Sequence, residues 1–103
     1  MCCSLLVLWL LFVVVAVNLD CGWTTGFRDP HTGTLITNAT AFPSGMKDLG
    51  DALHARGLKF GIYGSASKQQ CCSRQIAGAD DGSVGHEKQD AELWASFGVD
   101  YLK

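Results

Sequence analysis

The chain has 103 residues, with 8 Lys and Arg against 10 Asp and Glu, and 48% of it is apolar. That length holds one domain at most, and a net charge of −2 offers no basic footprint for nucleic acid. With 10% aromatic residues, the composition also argues against disorder.

Every charged residue lies from Asp20 onward, so residues 1–17 read as a hydrophobic leader merging into a first strand. Leu5 to Val17 is an unbroken apolar run of 13 residues. A membrane-spanning helix needs about 20 such residues, whereas a secretory signal uses roughly 7–15. The flanks do not match a signal, since no Lys or Arg precedes the run and Asn18-Leu19-Asp20-Cys21 is not a small-x-small cleavage site. Residues 12–19 are rich in β-branched side chains and read as a strand covered on both faces. Residues 1–11 are left open between a signal, a membrane anchor and an artefact of gene prediction.

Further along, Met46, Leu49, Ala52 and Leu53 recur at helical spacing, with Ser44 placed as an N-cap and Gly57 as a stop. A second helix is predicted over about 87–97, bringing Ala91, Leu93, Trp94 and Phe97 to one side and ending at Gly98. Each stop leads directly into a short apolar stretch, residues 58–63 and then 99–102, and both read as strands. The order strand, helix, strand, helix, strand implies an α/β fold with about three parallel strands and two right-handed crossover helices.

The connections are unequal. From strand to helix the chain spends 24 residues (20–43) and then 22 (64–85), but from helix to strand only one each time. Long loops therefore gather at the carboxyl ends of the strands, where parallel α/β folds build their sites. Asp20, Cys21 and Trp23 leave the first strand there, Tyr63 to Ser65 the second and Lys103 the third. A carboxylate, an indole, a phenol and an ammonium group suit a polyhydroxylated ligand. The plainer reading has Trp23 packed within its loop and Asp20 bonded to local backbone amides. A dinucleotide site is disfavoured, because Gly61-Ile62-Tyr63-Gly64 puts a bulky Tyr63 where a glycine is needed.

Five cysteines (Cys2, Cys3, Cys21, Cys71 and Cys72) are an odd number, so they do not all pair within the chain, and Cys21, Cys71 and Cys72 are the disulfide candidates. No CxxC pair or Cys/His zinc spacing is present, and His31, His54 and His86 stand singly, so no metal site is expected. Asn38-Ala39-Thr40 is an N-glycosylation acceptor if the chain enters the secretory pathway.

Four blocks, in order, resemble the α-galactosidases (melibiases) of glycoside hydrolase family 27: Asn18-Leu19-Asp20-Cys21-Gly22-Trp23, Phe42-Pro43-Ser44-Gly45-Met46, Gly57-Leu58-Lys59-Phe60-Gly61-Ile62-Tyr63 and Phe97-Gly98-Val99-Asp100-Tyr101-Leu102-Lys103. The pattern is most similar to the secreted fungal branch. The resemblance implies that residues 18–103 are part of a TIM (β/α)8 barrel, and that the activity is retaining hydrolysis of terminal α-D-galactosyl residues. It also implies an extracellular location, an α-galactoside as the partner, and no cofactor, since two carboxylates suffice for this chemistry. Carried over by position, Asp20, Trp23, Tyr63 and Lys103 resemble sugar-contacting residues, and Cys71 or Cys72 resembles a loop cysteine that bridges to one shortly after the nucleophile.

Two departures from the family matter. Many members carry two consecutive aspartates where this chain has Asp20-Cys21. The family's nucleophilic aspartate comes two residues after the position of Lys103, so neither it nor the acid/base is among these residues. A TIM barrel needs about 250 residues, and three strands leave edges and an inner face uncovered. The chain alone is therefore expected to be inactive and marginally stable. Two alternatives stand beside this reading. One is an α-N-acetylgalactosaminidase, since the loop setting specificity at the sugar 2-position lies past residue 103. The other is a non-catalytic secreted or membrane-associated protein anchored by residues 5–17 if the leader is retained.

Overall fold

The structure, a computed structural model, describes residues 16–103. The expected leader and the first part of the strand read over residues 12–19 lie outside the described residues.

Strand β1 (Ala16–Leu19), strand β4 (Lys59–Ile62) and strand β5 (Tyr101–Leu102) form a parallel sheet in the order β1-β4-β5. Helix α1 (Gly45–Ala55) lies in the crossover from β1 to β4, and helix α2 (Glu87–Phe97) in that from β4 to β5. The strand–helix alternation read from the sequence is therefore the one present. Register is fixed by burial. Val17 pairs with Phe60 and Leu19 with Ile62, and both β4 side chains are fully buried on the face that meets the helices. The opposite face carries Asn18, Gly61 and Tyr101 in one cross-strand row.

The helices end as glycine allows. At α1 the Gly57 amide bonds to the His54 carbonyl with Gly57 at φ 74°, and at α2 Gly98 takes φ 81° as the left-handed cap. Ser44 does occupy the N-cap of α1, but its side chain makes no capping bond. The helices approach closely at Gly50, where a Cβ would meet the Phe97 carbonyl oxygen and come within 3.2 Å of the Phe60 ring. Met46, Leu53, Phe60, Ile62, Trp23 and Trp94 form the buried core between helices and sheet.

The first long connection is not irregular throughout. It contains an antiparallel hairpin of strand β2 (Thr24–Arg28) and strand β3 (Leu35–Thr37). The hairpin's turn is organised by Asp29, whose carboxylate accepts the His31 and Thr32 amides at 2.8 and 3.1 Å. The second long connection includes a 3₁₀ turn at Cys71–Ser73.

Candidate functional site

The row on the inner sheet face continues beyond the strand ends. The Tyr63 amide donates to the Leu19 carbonyl at 2.9 Å, the Lys103 amide to the Ile62 carbonyl at 2.9 Å, and the Gly64 amide to the Lys103 carbonyl at 3.0 Å. These bonds extend the pairing one residue past the strand ends, so side-chain alternation puts Asp20, Tyr63 and Lys103 on the same face as Asn18, Gly61 and Tyr101, one layer nearer the carboxyl end. Neighbouring strands lie about 4.8 Å apart, so the three side chains span roughly 10 Å. This is the size of site that one sugar ring fills.

Asp20 is the centre of this row by chemistry. One carboxylate oxygen accepts the Cys21 amide at 2.9 Å. The other, Oδ2, is buried and has no hydrogen-bond partner among the described residues. A buried anionic oxygen without a donor is costly, and a ligand hydroxyl would satisfy it. Asn18 Oδ1, in the layer below, is likewise buried and unpartnered. Tyr63 is half-buried, and Lys103 is exposed with its ammonium group open to a ligand. Tyr101 closes the floor of the row: a Cβ on Gly61 would overlap the Tyr101 ring and reach Asn18 Oδ1 at 2.6 Å, so both lie over the bare glycine. Burial first, and the Asp100 charge second, push the Tyr101 phenol upward, keeping it a neutral hydroxyl.

Trp23 requires a correction. Its side chain is 1% exposed, set edge-on to Phe97 with ring centroids 6.1 Å apart, and its Nε1–H donates to the Tyr63 carbonyl at 2.9 Å. In a regular parallel ladder that carbonyl would accept the amide of residue 21, but the Cys21 amide has turned to Asp20. The indole therefore supplies the donor lost where the chain leaves the sheet. It positions Tyr63 and the Asp20 loop and does not present a face to a sugar.

Two of the three disulfide candidates pair with each other: Cys21 is joined to Cys72 across 51 residues, with a Cα–Cα distance of 5.7 Å, so Cys72 is not the loop cysteine that the resemblance pairs beyond Lys103. The bond ties the tip of β1 to the second long loop. Cys71 completes a group of three sulfurs, all within 4.8 Å of one another.

The loops around the row are held by a polar network that sequence reading did not find. Arg28 and Asp90, 3% and 0% exposed at their side chains, form a two-pronged ion pair with both N···O distances 2.7 Å. The same guanidinium donates to the carbonyls of Asp80, Gly33 and Gly82, and Ser83 donates to Asp90. Asp81, fully buried, accepts from Thr24 at 2.6 Å, from Ser73 at 2.7 Å and from the Gln70 amide at 2.8 Å. Thus the hairpin, the second loop and α2 share two buried carboxylates. A groove of about 460 Å³ lies beside the row on the helix side, bounded by Gly64, Trp94 and Leu102. Asn38 follows β3, its Oδ1 accepting the Thr40 and Ala41 amides and its Nδ2 donating to the Gly22 carbonyl at 3.5 Å at the surface.

Comparison with known proteins agrees with this architecture. The family model described as alpha galactosidase A matches residues 10–103. An α-galactosidase of Cyamopsis tetragonoloba is 49% identical over 87 residues, covering 84% of this chain and 20% of that protein. One from Coffea arabica is 47% identical, again over 84% of this chain and 21% of its own length. The probable α-galactosidase D of Aspergillus fumigatus is 45% identical over 89 residues, covering 84% of this chain and 13% of that protein. Among solved structures, the α-galactosidase of Saccharomyces cerevisiae with raffinose superposes at a TM-score of 0.70 with 32% identity, over 86% of this chain and 18% of that one. The α-galactosidase I of Mortierella vinacea gives 0.70 with 37% identity, over 88% and 21%. The chain thus spans about a fifth of the length of these relatives, and its parallel unit is a part of their TIM barrel. Taken with the ordered strand tips, these likenesses make the chain a member of the α-galactosidase A family.

Proposed function

We propose that residues 16–103 supply one wall of the galactose pocket of a secreted, retaining α-galactosidase, with Asp20, Tyr63 and Lys103 bonding the sugar hydroxyls. The observation that carries this reading is the buried, unpartnered Oδ2 of Asp20 in one row with Tyr63 and Lys103. The carboxylate accepts from hydroxyls, Lys103 donates to their lone pairs, and Tyr63 does either. Trp23 acts through Tyr63 and fixes the wall before the sugar arrives. In the full barrel a nucleophilic aspartate would form the covalent glycosyl-enzyme, and a second aspartate would protonate the leaving oxygen and then activate water. Both come from outside these residues, so the chain alone turns over no galactoside. Secretion also fits the Cys21–Cys72 bond and the glycosylation acceptor sequence at Asn38.

A chimera tests this. Residues 16–103 replace the matching segment of the Cyamopsis tetragonoloba enzyme, and hydrolysis of an aryl α-galactoside is measured. Hydrolysis is expected, and D20N in the chimera should lower kcat/KM about 10- to 150-fold, the worth of one hydrogen bond to a charged group. A folded chimera without activity, or one indifferent to D20N, would refute the assignment. So would turnover by the 103-residue chain alone.

A further inference from the structure

Three cysteine sulfurs gather at the tip of β1, a group that the sugar pocket does not use. Cys21 leaves the sheet from β1, while Cys71 and Cys72 come from the 3₁₀ turn, and the three Sγ atoms lie within 4.8 Å of one another. Sequence spacing excluded a metal site because no two of these residues form a CxxC pair and half the chain separates Cys21 from the others. Space brings them together all the same. We propose that the chain, when its cysteines are reduced, binds one thiophilic d¹⁰ cation of the zinc class between Cys21, Cys71 and Cys72.

The argument turns on what holds the sulfurs in place. Asp81, 0% exposed, accepts from the Gln70 amide and the Ser73 hydroxyl, the residues that bracket Cys71 and Cys72, and from Thr24, three residues after Cys21. Arg28 ties the same loop to β2 through the Asp80 and Gly82 carbonyls at 2.9 and 2.8 Å. Breaking the S–S bond removes none of these contacts, so both segments keep their places. Zinc–thiolate bonds of about 2.3 Å put neighbouring sulfurs roughly 3.8 Å apart, inside the observed limit. Cys72 is exposed and the other two half-buried, so a cation has an entry path and a solvent molecule can fill the fourth position.

Disulfide and metal are then two exclusive states of one site. A dithiol reductant gives two electrons and two protons to each disulfide of the group, the Cys21–Cys72 bond and the one that Cys71 makes, and becomes a disulfide itself each time. The cation next displaces the thiol protons to solvent and forms three metal–sulfur bonds, so its affinity rises with pH. The bound charge would stand beside Asp20, where the oxidised chain presents an uncharged bond.

The test uses the full chain, reduced with a phosphine under argon and titrated with Cd²⁺ as a spectroscopic probe. A thiolate-to-metal charge-transfer band should saturate at about one equivalent. In parallel, Zn²⁺ should slow iodoacetamide modification of the Cys21, Cys71 and Cys72 peptides together, by about tenfold or more. C21S or C71S should weaken binding about 100-fold, and the C2S/C3S variant should bind as the parent does. All variants are compared in the reduced state, so loss of the disulfide is common to them, and equal far-ultraviolet circular dichroism shows that none has unfolded. No band, protection confined to Cys2 and Cys3, or unchanged binding in a folded C21S chain would overturn the proposal. None of these readouts depends on galactose, so the pocket assignment and the metal site fail separately.

Discussion

Removing Asp90 should disable the whole loop assembly, and the size of the effect follows from the bonds it makes. The Arg28 guanidinium, 3% exposed, places two of its hydrogen bonds on the Asp90 carboxylate and three on the carbonyls of Asp80, Gly33 and Gly82. Asp90→Ala leaves that cation buried with neutral acceptors only, and strands the Ser83 hydroxyl as well. Two charge-assisted bonds are worth about 1.5–3 kcal/mol each, and breaking one side of a buried ion pair costs about 3–5 kcal/mol. Since whole domains are stable by about 5–15 kcal/mol, such a loss is a large fraction of any domain's stability. Urea unfolding followed by the emission of the buried Trp23 and Trp94 reads it directly. Asp90→Asn, which keeps one acceptor but no charge, should fall between parent and Asp90→Ala. In a double-mutant cycle with Arg28→Met, the second substitution should cost at least about 1 kcal/mol less than it does alone. A midpoint for Asp90→Ala within the equivalent of about 1 kcal/mol of the parent would show that this network does not hold the loops.

Three further outcomes are expected. Trp23→Phe keeps the ring contact with Phe97 but deletes the Nε1–Tyr63 bond, so it should cost about 1 kcal/mol and, in the chimera, raise KM more than it lowers kcat. Gly61→Ala should displace the Tyr101 ring, which the new methyl would overlap. Tyr101 fluorescence or aromatic NMR shifts would report the move, and an unchanged ring would refute the packing described for the inner face. The Phe60 amide first, and His54 second, hold Asp100 below its ordinary value. A carboxylate lowered in the folded state stabilises above its unfolded pKa and loses that contribution as pH falls through the lowered one. The acid limb below about pH 4 should therefore steepen through Asp100. Melting temperatures against pH would show Asp100→Asn flattening that limb, and an unchanged limb would discount the interaction.

What could be read in the sequence, and what could not, divides along physical lines. The three parallel strands and both helices were legible because their buried faces are apolar and their stops are glycines, as with Phe60, Ile62 and Gly98. The β2–β3 hairpin was not, because its inward positions are Thr24, Gly26 and Arg28, which have no apolar period to detect. Those side chains are buried only because Asp81 and Asp90, tens of residues away, satisfy them. The same reason hid Asp90 in a helix read by its apolar side. For the site, the row of Asp20, Tyr63 and Lys103 could be found from strand ends alone, since alternation fixes which face a residue takes. Trp23 could not be placed this way. It lies past the last regular pairing, where a side-chain donor takes over from the backbone, and only the partner carbonyl decides which way an indole points.

The cysteine pairing was beyond sequence for a related reason, and it bears on how the site is built. A carboxylate beside Asp20 would have placed two like charges at the tip of one strand, each needing its own donors. Cys21 removes that repulsion and replaces a ligand-facing charge with a bond to the loop that Asp81 already holds. In the proposed pocket the disulfide then stands where a second hydroxyl acceptor would. At the tip of β1, the demand for a donor falls on Asp20 Oδ2. That concentration makes Asp20→Asn the sharpest single test of the pocket: with no neighbouring carboxylate to share the sugar's hydroxyls, the loss in the chimera should be larger than that from the same change in the parent enzyme if the latter carries an Asp-Asp pair. An equal loss in both would mean that the disulfide does not occupy the second acceptor's place.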